Sequence, residues 1–472
     1  MNPPIVRLFV LVVVLFGLLI AFTSRWTVFE AQALRDNPDN RRSLLAEQRI
    51  RRGTIRSADG EAIARSTRDA DGVYARRYPT GALFGHPIGY AYTGISRSGY
   101  EQAQNEVLTG ASEELVTVFE SLIGRRREGN DVITTLDSRA QRVATQALQG
   151  RRGSVVALDG RTGAIKAMVS SPGFDPNGLD ARGALGRLNR DERARPLVNR
   201  ATFDTFPPGS TFKVVTAAAA LDSGRFEASS QVAAPAQKVV SGVPLNNFGN
   251  RDFGTIDLTT ALTNSVNTVW AEVGVTLGRS RMQEYMERFG FYEKPELDYP
   301  EPQILSSGVR KASGLRPVTS SSVDLGRVSI GQGDLQVTPL QMAIVAGTVA
   351  NGGVRMKPYL TQRVVDPDGR TVSRADPERA ERVISRGSAQ ELTTMMKSVV
   401  REGTGTAAAL TGVEVAGKTG TAEINTSGLN DPWFIGFSDR VAVAVVLDRV
   451  QGGQGGEVAA PVAKSVLQAL GR

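Results

Sequence analysis

The chain has 472 residues, no cysteine, one histidine and a formal net charge of +8 with a pI near 9.8; that length suits two or three domains with at least one large core. Without cysteine there is no disulfide, thiol nucleophile or Cys-ligated metal, and the lone His86 leaves a histidine metal site short of ligands. The basic balance suits an acidic polymer or a membrane surface, but the sequence has no zinc finger, RNA-recognition signature or aromatic–basic alternation that would point to nucleic acid.

In chain order, Leu8 to Phe22 is an unbroken apolar run bracketed by Arg7 and Arg25, with Trp26 and Phe29 beyond it. At about 1.5 Å per residue, the run and its flanks span a bilayer. Ala31-Gln32-Ala33 has the small-residue pattern of a cleavage site but sits far downstream of the run, so an uncleaved anchor is expected. Arg25, Arg35, Arg41 and Arg42 outnumber Arg7, which argues mildly against export, although long domains cross largely regardless of such charge. From Ala31 to about Ser66 the chain is polar and arginine-rich, including Gln48 to Ile55, and reads as a solvated face. Gly85-His86-Pro87 reads as an ordinary turn. Gly124 to Asn130 is a polar loop or hinge; Asp131 to Leu136 then reads as a strand and Ser138 to Leu148 as a helix, with a domain boundary close by.

Ser154–Asp159 and Ala164–Val169, joined by Gly160-Arg161-Thr162-Gly163, form a predicted β-hairpin. In Pro207-Pro208-Gly209-Ser210-Thr211-Phe212-Lys213 the prolines and glycine rule out a helix before Ser210. The apolar residues to Leu221 then predict a buried one, with Gly224 as a stop. Ser210 and Lys213 stand three apart, hence on one face of its first turn. Serine is a weak nucleophile until a neighbour takes its proton. Lysine can do so once burial and the positive end of a helix dipole pull its pKa down. The same four residues also suit a capping serine and a lysine reaching solvent. With His86 distant in sequence, the base for a nucleophilic serine here is expected to be a lysine or a carboxylate.

Ser265 and Asn267 follow within Thr263–Thr268; two apart, they diverge on a regular helix and can converge in a loop. Lys418, Thr419, Gly420 and Thr421 lie in a glycine-rich stretch, Ala416 to Glu423, that reads as a strand. Such an edge could offer a cation, hydroxyls and N–H groups to an extended peptide ending in a carboxylate, or simply carry a structural lysine. Trp433–Phe437 and Val441–Leu447 are a further strand pair, and Ala459 to Leu470 an amphipathic helix. The whole reads as α+β, an antiparallel sheet covered by helices.

Ser210-x-x-Lys213, Ser265-x-Asn267 and Lys418-Thr419-Gly420, in that order, resemble the three-motif signature of the penicillin-recognising serine acyl transferases. Arg152–Asp159, Ser170–Asn177, Asn199-Arg200-Ala201, Gly331-Gln332-Gly333, Thr338–Ala343, Arg401–Thr406 and Trp433–Phe437 extend the likeness to the transpeptidase domain of penicillin-binding proteins. Val266 stands where a class A β-lactamase has aspartate, and no Glu-x-x-Leu-Asn is present. The stretch between anchor and hairpin is too short for a glycosyltransferase domain. A monofunctional class B penicillin-binding protein fits best. The resemblance implies a penicillin-binding, serine β-lactamase-like transpeptidase domain at 150–472, a smaller, elongated mixed pedestal, dimerisation-like, at 30–149, and a short cytoplasmic tail with a single transmembrane anchor at 1–29.

The resemblance further implies a peptidoglycan D,D-transpeptidase on the outer face of the bacterial cytoplasmic membrane, with no cofactor or metal. Ser210 would attack the penultimate carbonyl of a stem peptide ending in D-Ala-D-Ala, and β-lactams would acylate the same serine. Lys213 would be the base; Ser265 would relay a proton; Asn267 would bind the substrate amide; Lys418 would support the network. Thr419 and Thr421 hydroxyls would hold the terminal carboxylate, with Gly420 between them, and the N–H groups of Ser210 and Thr421 would form the oxyanion hole. A polytopic glycan-polymerising membrane protein is the implied partner. A D,D-carboxypeptidase or endopeptidase, and a membrane-anchored β-lactam sensor, are the alternatives.

Overall fold

The computed structural model describes residues 3–25, 48–110, 128–424 and 428–471. The apolar run lies within a helix of 22 residues, α1 (Pro3–Ser24), none of whose side chains is buried and whose most apolar window has a mean hydropathy of 3.0. It is long and apolar enough to cross a bilayer. The Trp26-to-Arg42 flank and most of the loop expected at 124–130 lie outside the described residues.

Strands Ile55–Arg56, Ala62–Arg68, Tyr74–Arg77 and Asp131–Thr134 form a mixed sheet with two strands from far downstream, Thr361–Val365 and Thr371–Arg374. The strand expected to reach Leu136 stops at Thr134 because Thr135 turns away: its N–H donates to Leu360 and its hydroxyl to Ile165. Asp137 then caps α2 (Ser138–Leu148), accepting from the Ala140 N–H at 2.7 Å. The arginine-rich stretch is not wholly a solvated face: Arg52 is buried, paired with Glu101, which Arg76 engages from the other side.

The second sheet runs in the spatial order β3-β4-β5-β1-β2, all neighbours antiparallel, with β1 (Gly153–Asp159), β2 (Ile165–Ser171), β3 (Ala416–Glu423), β4 (Leu429–Ser438) and β5 (Val441–Leu447), and the short strand Val450–Gln451 pairs with the start of β4. Every residue of β1 is buried, as a run apolar on both faces requires. Val155 and Ala157 face α2 and the C-terminal helix Ala460–Leu470, while Val156 and Leu158 join the main core with the apolar helix Pro339–Ala350. β3 is an edge strand, so one row of its backbone groups is open. α3 (Lys213–Asp222) is buried from Lys213 to Leu221, as its all-round apolar sequence predicts.

Candidate active site

Ser210 does not open an α-helix directly; it lies on a 3₁₀ turn, Gly209–Phe212, that feeds α3. With three residues per turn, such a turn eclipses positions i and i+3, which sets Ser210 over Lys213. The turn is clamped from several sides. Thr211 Oγ1 donates to Pro208 O at 2.7 Å, Trp433 Nε1 on β4 donates to Pro207 O at 2.9 Å, and Gly209 N donates to Gly331 O at 2.9 Å. Gly331 has φ +79°, and a Cβ there would come within 1.8 Å of Gly209 O. Gly331→Ala is therefore expected to push the turn out of place and slow acylation of Ser210 by about 10²-fold, the size of effect a 1 Å misplacement can have. Stopped-flow acylation kinetics test this, and a change under threefold would contradict it.

Lys213 is fully buried, and its Nζ donates to Ser265 O at 2.7 Å and Asn267 Oδ1 at 2.7 Å, with Ser265 Oγ at 3.2 Å. Ser265 reaches this position by leaving the helix: Leu258–Thr263 ends, Ser265 takes a left-handed φ of +58°, and a new helix starts at Asn267. The two side chains thus converge as only a break in the helix allows. Asn267 is oriented in turn by donating Nδ2 to Asn246 O at 3.0 Å.

Lys418 is also fully buried, its Nζ donating to Thr419 O at 3.0 Å. Thr419 shares a hydroxyl–hydroxyl bond of 2.6 Å with Thr404, and Thr421 Oγ1 accepts from Gly455 N at 3.2 Å. Burial, and then the charge of Lys418, hold the Lys213 amine well below its ordinary pKa. Burial alone brings Lys418 to about 7. Among the described residues neither amine meets a carboxylate, so no countercharge opposes these shifts. A neutral Lys213 has two N–H groups, matched by Ser265 O and Asn267 Oδ1, and one lone pair left for a hydroxyl proton.

Ser210, Ser265, Asn267, Thr419, Gly420 and Thr421 line one cleft of about 1320 Å³, with Lys213 and Lys418 buried behind it. The structure therefore gathers all eight sequence-selected residues. His86 is not among the lining residues: it is buried, its Nε2 2.8 Å from Pro196 O, and burial lowers its pKa to about 4. It sits on a single helical turn, Gly85–Ile88, where an ordinary turn was expected. Asn246, which orients Asn267, and Thr404, which holds Thr419, were not assigned from sequence; Thr404 lies in the Arg401–Thr406 stretch, but nothing local marks Asn246.

The family model for the penicillin binding protein transpeptidase domain matches residues 153–468, and that for the penicillin binding protein A dimerisation domain matches 52–132. Over 99% of both chains the sequence is 37% identical to peptidoglycan D,D-transpeptidase PbpA of Mycolicibacterium smegmatis, and 35% identical to that of Mycobacterium tuberculosis. The solved structure of penicillin-binding protein A from M. tuberculosis, a ceftriaxone acyl-enzyme complex, superposes with a TM-score of 0.82 at 33% identity, covering 90% of this chain and 99% of that one. The D,D-transpeptidase domain of a peptidoglycan glycosyltransferase from Eggerthella lenta gives 0.79 at 33% identity, over 89% and 98%. Matched by the transpeptidase domain over most of its length and by relatives from end to end, the chain belongs to the penicillin-binding protein transpeptidases, in their class B form.

Proposed function

We propose that this chain is a peptidoglycan D,D-transpeptidase in which Ser210 is the nucleophile and Lys213 its base. The observation that carries the reading is the buried Lys213 amine held on Ser265 and Asn267 beside the cleft. Ser210 Oγ attacks the penultimate D-alanine carbonyl carbon while its proton passes to Lys213 Nζ. The oxyanion rests on the N–H groups of Ser210 and Thr421. Pro432 stands opposite Thr421 and has no N–H to offer, which supports a Thr421 N–H aimed away from β4 and out of the open edge. As the C–N bond breaks, Ser265 relays a proton to the leaving D-alanine amine, whose carboxylate is held by Thr419 and Thr421 with Lys418 behind them. Asn267 binds the substrate amide. An amine of a neighbouring stem peptide then attacks the acyl-enzyme, giving the crosslink and restoring Ser210. A β-lactam is attacked in the same way, but its opened ring stays attached.

On this reading α1 anchors residues 1–29 in the bacterial cytoplasmic membrane, with the pedestal (30–149) and transpeptidase domain (150–472) on the outer face. The change from the first sheet to the second between residues 134 and 153 supports that division. A polytopic glycan-polymerising membrane protein is the partner proposed for it. The test is to incubate detergent-solubilised full-length protein with benzylpenicillin. One added penicillin mass on the peptide containing Ser210 is expected, and crosslinked product should form from a stem-peptide donor and an amine acceptor. An adduct elsewhere removes the assigned nucleophile; free acid with no crosslink makes the enzyme a carboxypeptidase.

A further inference from the structure

We propose that Glu423 is a specificity residue of the same cleft, recognising a cationic amine on the donor stem peptide upstream of its D-alanine pair; the assignment rests on the function proposed above. On a strand, residues two apart share a face, so Thr419, Thr421 and Glu423 of β3 point the same way, and all three line the cleft. Among the described residues, three charged ones line it: Arg327, Glu423 and Glu457. Arg327 is already paired with Asp324 at 3.0 Å. Glu423 is exposed and, unlike Arg327, its side chain has no ion-pair or hydrogen-bond partner among the described residues.

The direction of the substrate follows from the site. Its terminal carboxylate lies at the Thr419 and Thr421 hydroxyls and its reacting carbonyl at the Thr421 N–H. The donor therefore runs antiparallel to β3, its upstream residues passing toward Glu423, about 7 Å beyond Thr421 at 3.3–3.4 Å per residue. Donor and acceptor are the same kind of peptide. The amine that completes one crosslink as acceptor is carried, unreacted and protonated, by the donor, necessarily upstream because the D-alanine pair is terminal. An unpaired carboxylate on the binding face of the strand, one side-chain repeat past the reacting carbonyl, complements that cation.

Two penicillins test this: one bearing a terminal primary amine on a short alkyl side chain, and the same compound N-acetylated. Their acylation rates on the full-length protein are compared by competition with a fluorescent penicillin. The amine form is expected to react roughly five- to tenfold faster, with the ratio shrinking in 0.5 M salt as screening shortens the range of the interaction. Glu423→Gln should bring the ratio to about one, Glu423→Lys should invert it, and Glu457→Gln should leave it in place. A ratio near one in the native protein, a ratio that survives Glu423→Gln, or one lost in Glu457→Gln instead, overturns the assignment. If neither penicillin acylates Ser210, it is the transpeptidase reading that fails, not this one alone.

Discussion

Replacing Lys213 by alanine is expected to slow acylation of Ser210 by benzylpenicillin by about 10²- to 10⁴-fold, the range that removal of a general base commands. Lys418, the other amine with a lowered pKa, is held on Thr419 O and not on Ser265 or Asn267. The only histidine is bonded to Pro196 O, and the cleft carboxylates Glu423 and Glu457 sit on the strand end and on the 455–459 turn. Lys213→Arg should fail as badly, because a guanidinium keeps its proton at any accessible pH. That pair of variants separates a base from a merely positioning cation; retention of activity within tenfold in either one refutes the role. The pH profile carries the sign. Acylation needs the neutral amine, so the rate rises with pH as Lys213 loses its proton. Lys418→Met removes the like charge that helps depress Lys213, and should move that rising limb to higher pH. Stability moves the same way, over the range above the native pKa. The native pKa of Lys213 lies well below the unfolded value of 10.5, so as pH falls below 10.5 the unfolded chain binds a proton that the native site refuses. Stability therefore declines from pH 10.5 down to the native pKa, and for Lys418 between 10.5 and about 7. Lys213→Met is accordingly expected to raise the thermal midpoint at neutral pH while destroying acylation, as expected of a site built at the expense of stability.

What the sequence shows and what it hides divide along the range of the interactions. The helix at 138–148 is fixed by a local cap at Asp137 and by its own apolar periodicity, so it reads off directly. The hairpin at 153–171 and the strands at 441–447 are continuous apolar runs bounded by turn residues, and they too are local. The spacing of the three motifs names the reacting groups because their chemistry demands those residue types. It does not carry the left-handed Ser265, which exists only because Lys213, 52 residues earlier, needs its carbonyl and side chain on one point. Nor does it carry Asn246, an asparagine among two whose role depends on a hairpin folding back over the second motif. Strands 361–374 join a sheet whose other members end by residue 134, a pairing no local window contains. The arginine-rich run misleads for the same reason: Arg52 looks solvated until Glu101, 49 residues on, is brought to it.

That buried carboxylate supports the second large expectation, that Glu101→Ala destabilises the protein by about 3–5 kcal/mol, as breaking one member of a buried ionic cluster does. Glu101 is fully buried, and its two oxygens meet Arg52 Nε at 2.7 Å and Arg76 Nε at 2.6 Å. The arginines are in turn tied to backbone: Arg52 Nη2 donates to Glu101 O and Arg76 Nη1 to Gly53 O, each at 2.7 Å. Burial would raise the carboxyl pKa, but Arg76 and Arg52 outweigh it and hold it below the ordinary value. The cluster's contribution is thus present above the unfolded carboxyl pKa and is lost as pH falls through the lower native one. Glu101→Gln, which keeps the shape, should be nearly as harmful, since it strands two guanidinium charges in the same pocket. Replacing all three by apolar residues of similar volume should restore most of the loss, because the desolvation penalty goes with the charges. Urea unfolding of the three variants at pH 7 distinguishes the cases, and a loss below 1 kcal/mol for Glu101→Ala would show the cluster to be open to water. Ser210 acylation in the folded fraction should change little, because no contact described for the cluster involves a residue of the cleft. Its effect is to tie the chain at Arg52–Gly53 and the strand Tyr74–Arg77 to the short helix Gly99–Ala103, within the unit whose sheet the strand Thr361–Val365 joins to the catalytic part of the chain.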